Sequence, residues 1–311
     1  MLDWVIVSAR LLQFVCALVL FGFSLFRIYG LRGEGPGPST GRWDWPQLSV
    51  IIAATGGLFG VLWWVAASAA AFFPSAGLFD PSSMWIVLTE TGFGRIAFMR
   101  VGLLALSIAV IVILTSTRIF WIVQSMLGML IVASFAWTGH GAYNSGLEGF
   151  VHTTADILHL VAAGIWIGAL LPLGVLIWRS VHAQTATGAQ STLESLDRFS
   201  GIGPMVVAVL VLSGLVNSWF LVGIAQWSAL FRTEYGIALT LKLVFFGAML
   251  ILAAINRYRL SPRLRSDLEQ GLSPASVLRK LRVAVLTEFG LSIIVLAAVA
   301  LLGTWEPPIA N

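Results

Sequence analysis

The stretch HTTADILHLVAAGIWIGALLPLGVLIW, residues 152–178, decides the fold class and also carries the chemistry. Apart from its first turns it is apolar throughout, and it exceeds the roughly 20 residues that a helix needs to cross a ~30 Å hydrocarbon core. Its opening holds His152, Asp156 and His159, spaced i, i+4 and i+7. On a helix these three side chains leave from one face.

Seven further apolar stretches of spanning length lie around it, at 4–28, 48–73, 96–115, 119–138, 203–224, 236–256 and 283–303. None shows the alternation of barrel strands, and open sheets cannot exist in lipid, so all eight are predicted to be helices. The chain is 58% hydrophobic and 10% charged, with a mean hydropathy of +0.93. That composition excludes a soluble globular domain. The expectation is an all-α polytopic membrane protein, a bundle of eight transmembrane helices forming a single transmembrane domain over 1–311. The first stretch has no basic lead and no small-residue cleavage signal, so it reads as a retained span rather than a signal peptide.

Loop charges predict the orientation. Arg27, Arg32 and Arg42 follow the first span, Arg118 the third, and Arg179 and Arg198 the fifth. Between the last two spans lie Arg257, Arg259, Arg263, Arg265, Arg279, Lys280 and Arg282. The alternate loops carry Asp80, Glu90, Glu148 and Glu234, with only Arg95 and Arg232 against them. Positive loops stay inside, so both termini are expected in the periplasm of a bacterial inner (plasma) membrane. The pI near 9.7 follows from these cytoplasmic cations and does not point to nucleic acid.

With this topology the fourth span runs outward and ends at Thr138-Gly139-His140, and the fifth starts at the same level with His152. His159 then lies about 10 Å deeper. Three of the four histidines fall between 140 and 159. Imidazoles with one carboxylate suit Cu²⁺ or Zn²⁺, and imidazoles alone also hold Cu⁺. Asp156 is either a ligand or the group that fixes the tautomer of a neighbouring histidine. The plainer alternative has the histidines at headgroup level and Asp156 hydrogen-bonded to an adjacent helix. Beyond His159 the same face continues through Ala163, Trp166 and Leu170, so the ionisable stripe stops about halfway.

Asn217, Lys242 and Glu288, in the last three spans, are candidate pathway or structural polar groups. Arg10 and Arg100 are expected to snorkel to the interface. The methionines at 99, 126, 129, 205 and 249 and the single Cys16 are expected to be apolar filling, and one cysteine excludes an internal disulfide or CxxC site. His182–Ile202 and Asn256–Arg282 are expected as extramembrane connections, with a helix starting near Ser273–Ser276 and a basic amphipathic lead over Val277–Arg282. No phosphate-binding loop and no nucleophile–base pair is present, so no enzyme is expected.

These residues resemble the copper resistance protein D (CopD) family of bacterial inner-membrane proteins. The likeness is carried by Thr138-Gly139-His140, by the run from His152 through Asp156, His159 and Trp166 to Gly168, and by Arg198-Phe199-Ser200. It continues in Ser213-Gly214 with Asn217, in Tyr235-Gly236 with Lys242, in Asn256-Arg257 and in Glu288. It covers about residues 95–303; the first two spans are placed by topology alone. The resemblance implies an eight-helix protein that moves copper from periplasm to cytoplasm, served by a separate small periplasmic copper-binding protein of the CopC type. The metal ligands expected from the chemistry are His140, His152, Asp156 and His159, holding Cu⁺ or Cu²⁺. Two other readings remain: a haem-b electron-transfer protein, with His140 and His159 as axial candidates, and a non-transporting copper sensor or metallation factor.

Overall fold

The computed structural model describes residues 2–31, 44–114, 117–138, 146–223 and 232–305. These are helical almost throughout: α1 (Leu2–Tyr29), α2 (Trp45–Phe72), α3 (Pro81–Glu90), α4 (Gly92–Ile113), α5 (Arg118–Ser134), α6 (Gly146–Ala183), α7 (Ala186–Val222), α8 (Glu234–Ile255), α9 (Ser261–Glu269) and α10 (Ala275–Leu302). A 3₁₀ turn, Phe135–Thr138, extends α5, and a π-helical turn, Asn256–Leu260, joins α8 to α9. Eight helical segments are long and apolar enough to cross a membrane.

The helix starts follow local chemistry. At α2, Asp44 accepts from the Gln47 backbone N–H at 3.1 Å while the Gln47 side chain accepts from the Asp44 N–H at 3.3 Å, a reciprocal capping box. Asp80 caps α3 through Ser83, and Thr91, Thr117, Thr185 and Thr233 cap α4, α5, α7 and α8. Two expectations are corrected here. The connection between the second and third spans contains the helix α3. Most of His182–Ile202 is not a loop either, because the Thr185 cap starts α7 at Ala186 and carries it through the whole segment. The start near Ser273–Ser276 agrees with α10, whose lead buries Val277, Leu278 and Leu281 and exposes Arg279 and Lys280.

Two large hydrophobic cores fill the bundle, with a small third one, Val222, Tyr235, Ala238, Leu239 and Leu302, where the ends of α7 and α10 meet the start of α8. Of the two large cores, one is built mainly from α1, α2, α4 and α5, and the other from α6, α7, α9 and α10, with Met249 of α8. They meet where α1 crosses α6. A Cβ on Gly22 would stand 1.9 Å from the Gly164 carbonyl oxygen, and one on Gly168 would stand 2.4 Å from the Gly22 Cα. Both obstructions are backbone, so only glycine permits the crossing. Small residues spaced four apart let helix backbones approach closely in this way in lipid.

Arg100 corrects the snorkelling expectation. It is 1% exposed and reaches sideways into the bundle. Its Nε donates to Ser134 Oγ at 2.7 Å, its Nη1 to Gln13 at 3.2 Å, and its Nη2 to the Ser134 carbonyl at 3.1 Å and to Thr138 Oγ1 at 2.8 Å. Its guanidinium also lies 4.2 Å from the Phe135 ring centroid. In lipid, a ring of fixed dipoles inside the bundle competes with the interface as a partner for the charge. Arg10 is half-buried: its Nε has no hydrogen-bond partner, and its guanidinium sits at the end of α10, where a Cβ on Gly303 would fall.

Two outcomes follow for thermal unfolding of the detergent-purified protein. Gly22→Val forces α1 and α6 apart and costs about 3 kcal/mol. Arg100→Leu strands Gln13, Ser134 and Thr138 and costs about 3 kcal/mol or more, whereas Arg263→Leu, at an exposed site, stays within about 0.5 kcal/mol.

Candidate metal site

α7 packs along α6 and α8 along α10. The result is a crevice with polar groups at two depths. Its two ends are named here for what they carry: the histidine end, where α6 begins, and the arginine end, where α8 passes into α9.

Near the histidine end the α6 stripe meets α7 rung by rung. His152 is 3% exposed and stacks on Phe220, with ring centroids 4.7 Å apart and planes 9° from parallel. Asp156 Oδ1 accepts from Asn217 Nδ2 at 3.2 Å. His159 Nδ1 lies 3.1 Å from Ser213 Oγ and 3.2 Å from the Leu210 carbonyl oxygen. The antiparallel pairing reflects matched spacing: 152, 156 and 159 on one helix face 220, 217 and 213 on the other. Gly214 lies beside the imidazole, where a Cβ would stand in ordinary contact at 3.4 Å from His159 Cε1. From α8, Lys242 acts electrostatically on both Asp156 and His159, and the Asp156 charge acts on Tyr235.

The partners of His159 fix its tautomer. A carbonyl only accepts, and the Ser213 hydroxyl proton is already committed to the Val209 carbonyl. Nδ1 therefore faces two acceptors and carries the proton, which leaves Nε2 with the lone pair. This arrangement, with Nδ1–H on a backbone carbonyl and Nε2 open, is the one that protein metal sites use to orient a ligating histidine.

The four expected ligands have different fates. Asp156 and His159 share one polar cluster with Asn217, Ser213 and Lys242. His152 packs on an aromatic ring. His140 lies outside the described residues. Among the described residues, no three His, Cys, Asp or Glu side chains are grouped closely enough to hold a metal ion. The described histidines at 152, 159 and 182 all belong to α6, so none is opposed to His159 from another helix as bis-imidazole haem ligation needs. Met99, Met126, Met129 and Met205 are exposed on the outer surface of the bundle, while Met249 and Cys16 are buried in the cores.

Deeper in the crevice, the stripe on α6 does lose its ionisable groups beyond His159, but α10 supplies a carboxylate there. Glu288 is 1% exposed, and its Oε1 accepts from Trp166 Nε1 at 2.5 Å. Its Oε2 accepts from Asn256 Nδ2 at 3.3 Å. Trp166 lies i+7 from His159 and so continues the same face. The sequence shows this spacing, and it shows an isolated carboxylate in the last span. It does not show that the two meet.

The fold and this crevice define a multi-pass membrane protein with a histidine–carboxylate site inside the bundle. A family model described as "Copper resistance protein D" matches residues 193–302, and one described as "Copper resistance protein D-like, N-terminal domain" matches residues 1–150. The chain is 34% identical over 304 residues to a "Copper resistance protein D" of Pseudomonas syringae pv. tomato, covering 97% of this chain and 96% of that one. It therefore belongs to the copper resistance protein D family. It is also 27% identical over 320 residues to the "Inner membrane protein YebZ" of Escherichia coli (strain K12), covering 99% and 100% of the two chains. A third relative, the "Copper transport protein CutJ" of Bacillus subtilis (strain 168), is 32% identical over 183 residues, 57% of this chain and 32% of that one. No solved structure matches. The N-terminal match extends the likeness over the first two spans, which topology alone had placed. Asn217, Lys242 and Glu288 fall inside the matched C-terminal region. His152, Asp156 and His159 fall between the two matched regions.

Trp166→Phe keeps the ring but removes the N–H that Glu288 Oε1 accepts. Thermal unfolding in detergent is expected to show a loss of about 1.5–3 kcal/mol, the range for a hydrogen bond to a charged group. Trp178→Phe, at an exposed site on the same helix, is expected to change little.

Proposed function

We propose that this protein binds copper at the histidine end of the crevice and carries it from the periplasm to the cytoplasm across the bacterial inner membrane. The observation that supports the site most is the pairing of His159 Nδ1 with the Leu210 carbonyl and Ser213 Oγ, which leaves Nε2 as the ring nitrogen available to a metal. His140 and His152 complete the donor set, His140 from the segment that precedes α6 in the sequence and His152 after turning away from Phe220. Copper is the cargo, as Cu⁺ or Cu²⁺, and imidazole with carboxylate accommodates either state. The positive-inside rule assigns the histidine end to the periplasm. A separate CopC-like periplasmic protein is the proposed donor. The names of the relatives, copper resistance and copper transport, agree with this cargo.

Lys242 has a part in the binding step. With no metal present, its ammonium is the resident counter-charge of Asp156. An arriving copper ion takes over that role, and the displaced Lys242 charge favours onward release. A second reading, a metallation factor or sensor that holds copper without passing it on, is favoured by one observation: α6 offers only Ala162, Ala163 and other apolar groups between His159 and Trp166.

The test is metal analysis by plasma mass spectrometry of protein purified in detergent from copper-supplemented cells. About one copper per chain is expected. His159→Ala and Asp156→Asn are expected to lower copper affinity about 10–100-fold, and His182→Ala to leave it unchanged. Unchanged copper in His159→Ala would remove the site assignment. Copper uptake into proteoliposomes then separates the two readings, because binding without flux selects the metallation factor.

A further inference from the structure

A cavity of about 620 Å³ lies in the arginine-end half of the crevice, lined by α6, α7, α8, the π turn and α10. Its walls are mostly apolar, and its polar floor is Glu288, Asn256, Ser261, Arg257 and Ser200. Both Glu288 oxygens accept from N–H donors, the pattern an ionised carboxylate requires. Two atoms beside it break the pattern of full satisfaction. Asn256 Oδ1 and Ser261 Oγ are buried with no hydrogen-bond partner among the described residues. Buried polar groups are ordinarily paired, so two unpaired oxygens side by side in a cavity wall call for an explanation.

The backbone puts these groups there. Asn256 opens the π-helical turn, and the Ser261 N–H donates to the Asn256 carbonyl at its close. π turns carry an extra residue per turn and frequently occur at functional sites. Here the turn brings Asn256 against Glu288 and both unpartnered oxygens into the cavity lining. The Asn256 amide then presents two faces to one carboxyl group. Its N–H donor serves the charged form, and a turn of the amide exchanges it for the idle Oδ1, which would accept an O–H from the protonated form.

We propose that Glu288, with Asn256, is a reversible proton-binding site that exchanges with water in this cavity, and that it couples proton movement to the passage of copper. In binding, a hydronium ion gives its proton to Glu288 Oε2, an O–H bond forms, a water molecule is left, and the Asn256 amide turns to accept. Release runs the same steps backwards. The donor set is oxygen alone, with neither imidazole nor thioether, and so suits a proton better than a soft copper ion. The charged and titratable groups that face Glu288 are few. Arg257 and Tyr258 come from the π turn, and Lys242 of α8 with His159 and Asp156 of α6 lie towards the histidine end. α7 lines the cavity without a charged residue. The coupling rests on the proposed copper site; the protonation does not. Copper entering at Asp156 and His159 adds positive charge to a crevice inside the bilayer, and loss of the Glu288 proton offsets it.

Infrared difference spectroscopy of the full-length protein in lipid, titrated between about pH 5.5 and about pH 9, above the range in which exposed carboxyl groups protonate, reads the protonated-carboxyl C=O stretch directly. The expected result is a pH-dependent band that persists in Asp156→Asn, disappears when Glu288→Gln is added to that variant, and shifts in frequency in Asn256→Leu. A band that survives in the double variant Asp156→Asn/Glu288→Gln, or no titrating band at any pH, overturns the proposal. If Glu288→Gln does not assemble, the other two proteins decide: a band unshifted by Asn256→Leu does not belong to this pair. Copper content keeps the two claims apart. Glu288→Gln is expected to retain its copper and lose the dependence of copper uptake on a pH gradient; uptake that follows the gradient unchanged overturns the coupling. Loss of the band with copper retained by the wild type removes this inference alone. Copper retained in His159→Ala removes the outer site and leaves the band standing.

Discussion

The close approach of α1 and α6 is the constraint on which the rest of the bundle depends. Gly22 lies against Gly164 and Gly168 with no space for a side chain on any of the three. In lipid no hydrophobic force draws helices together, so a backbone contact of this kind carries much of the association through packing. It also sets the rotation of α6. At about 100° per residue, the glycines fall roughly opposite His159 and Trp166. One side of α6 is pressed onto the first core, and the other is left to face α7, α8 and α10. The polar stripe therefore points into the crevice because the glycine face cannot turn away from α1.

Charge inside the bilayer is handled by dipoles rather than by ion pairs. Arg100 is surrounded by hydroxyls, an amide and a carbonyl, and Glu288 by an indole and an amide. The ion pairs found among the described residues, Arg198 with Glu194 and Arg265 with Asp197, lie towards the arginine end on partly exposed side chains. Neutral partners satisfy the hydrogen-bonding capacity of a buried charge without neutralising it. Each buried group thus keeps its field, which a tight salt bridge would cancel. For the cation binding proposed above, an uncancelled carboxylate is of use.

Hydropathy and loop charge were sufficient to read the eight spans, their approximate limits and the shared face of His152, Asp156 and His159, because each is a property of one helix and its surroundings. What could not be read depends on a second helix. Arg100 looks like any arginine near a span end; only the rotation of α1 and α5 shows that Gln13 and Ser134 await it. Trp166 appears as one more apolar residue until α10 brings Glu288 to its N–H. The helical start of α7 was hidden for another reason. Its first turns are too polar to register as a span, and the Thr185 cap that begins them is a weak signal against a polar background. His140, the first of the expected ligands, lies outside the described residues, so its place rests on its position after Thr138 in the sequence.

The uncancelled charges also divide the bundle electrically. Arg100, buried, and Arg10, half-buried, both lie in the half formed by α1, α2, α4 and α5, close enough to act on each other, and no carboxylate pairs with either of them among the described residues. Asp156 and Glu288 belong to the other half. In a medium of low permittivity such fields reach far. On that side Lys242 faces Asp156, so Glu288 is the carboxylate left without a counter-charge, and the two halves differ in the sign of the charge they leave unanswered.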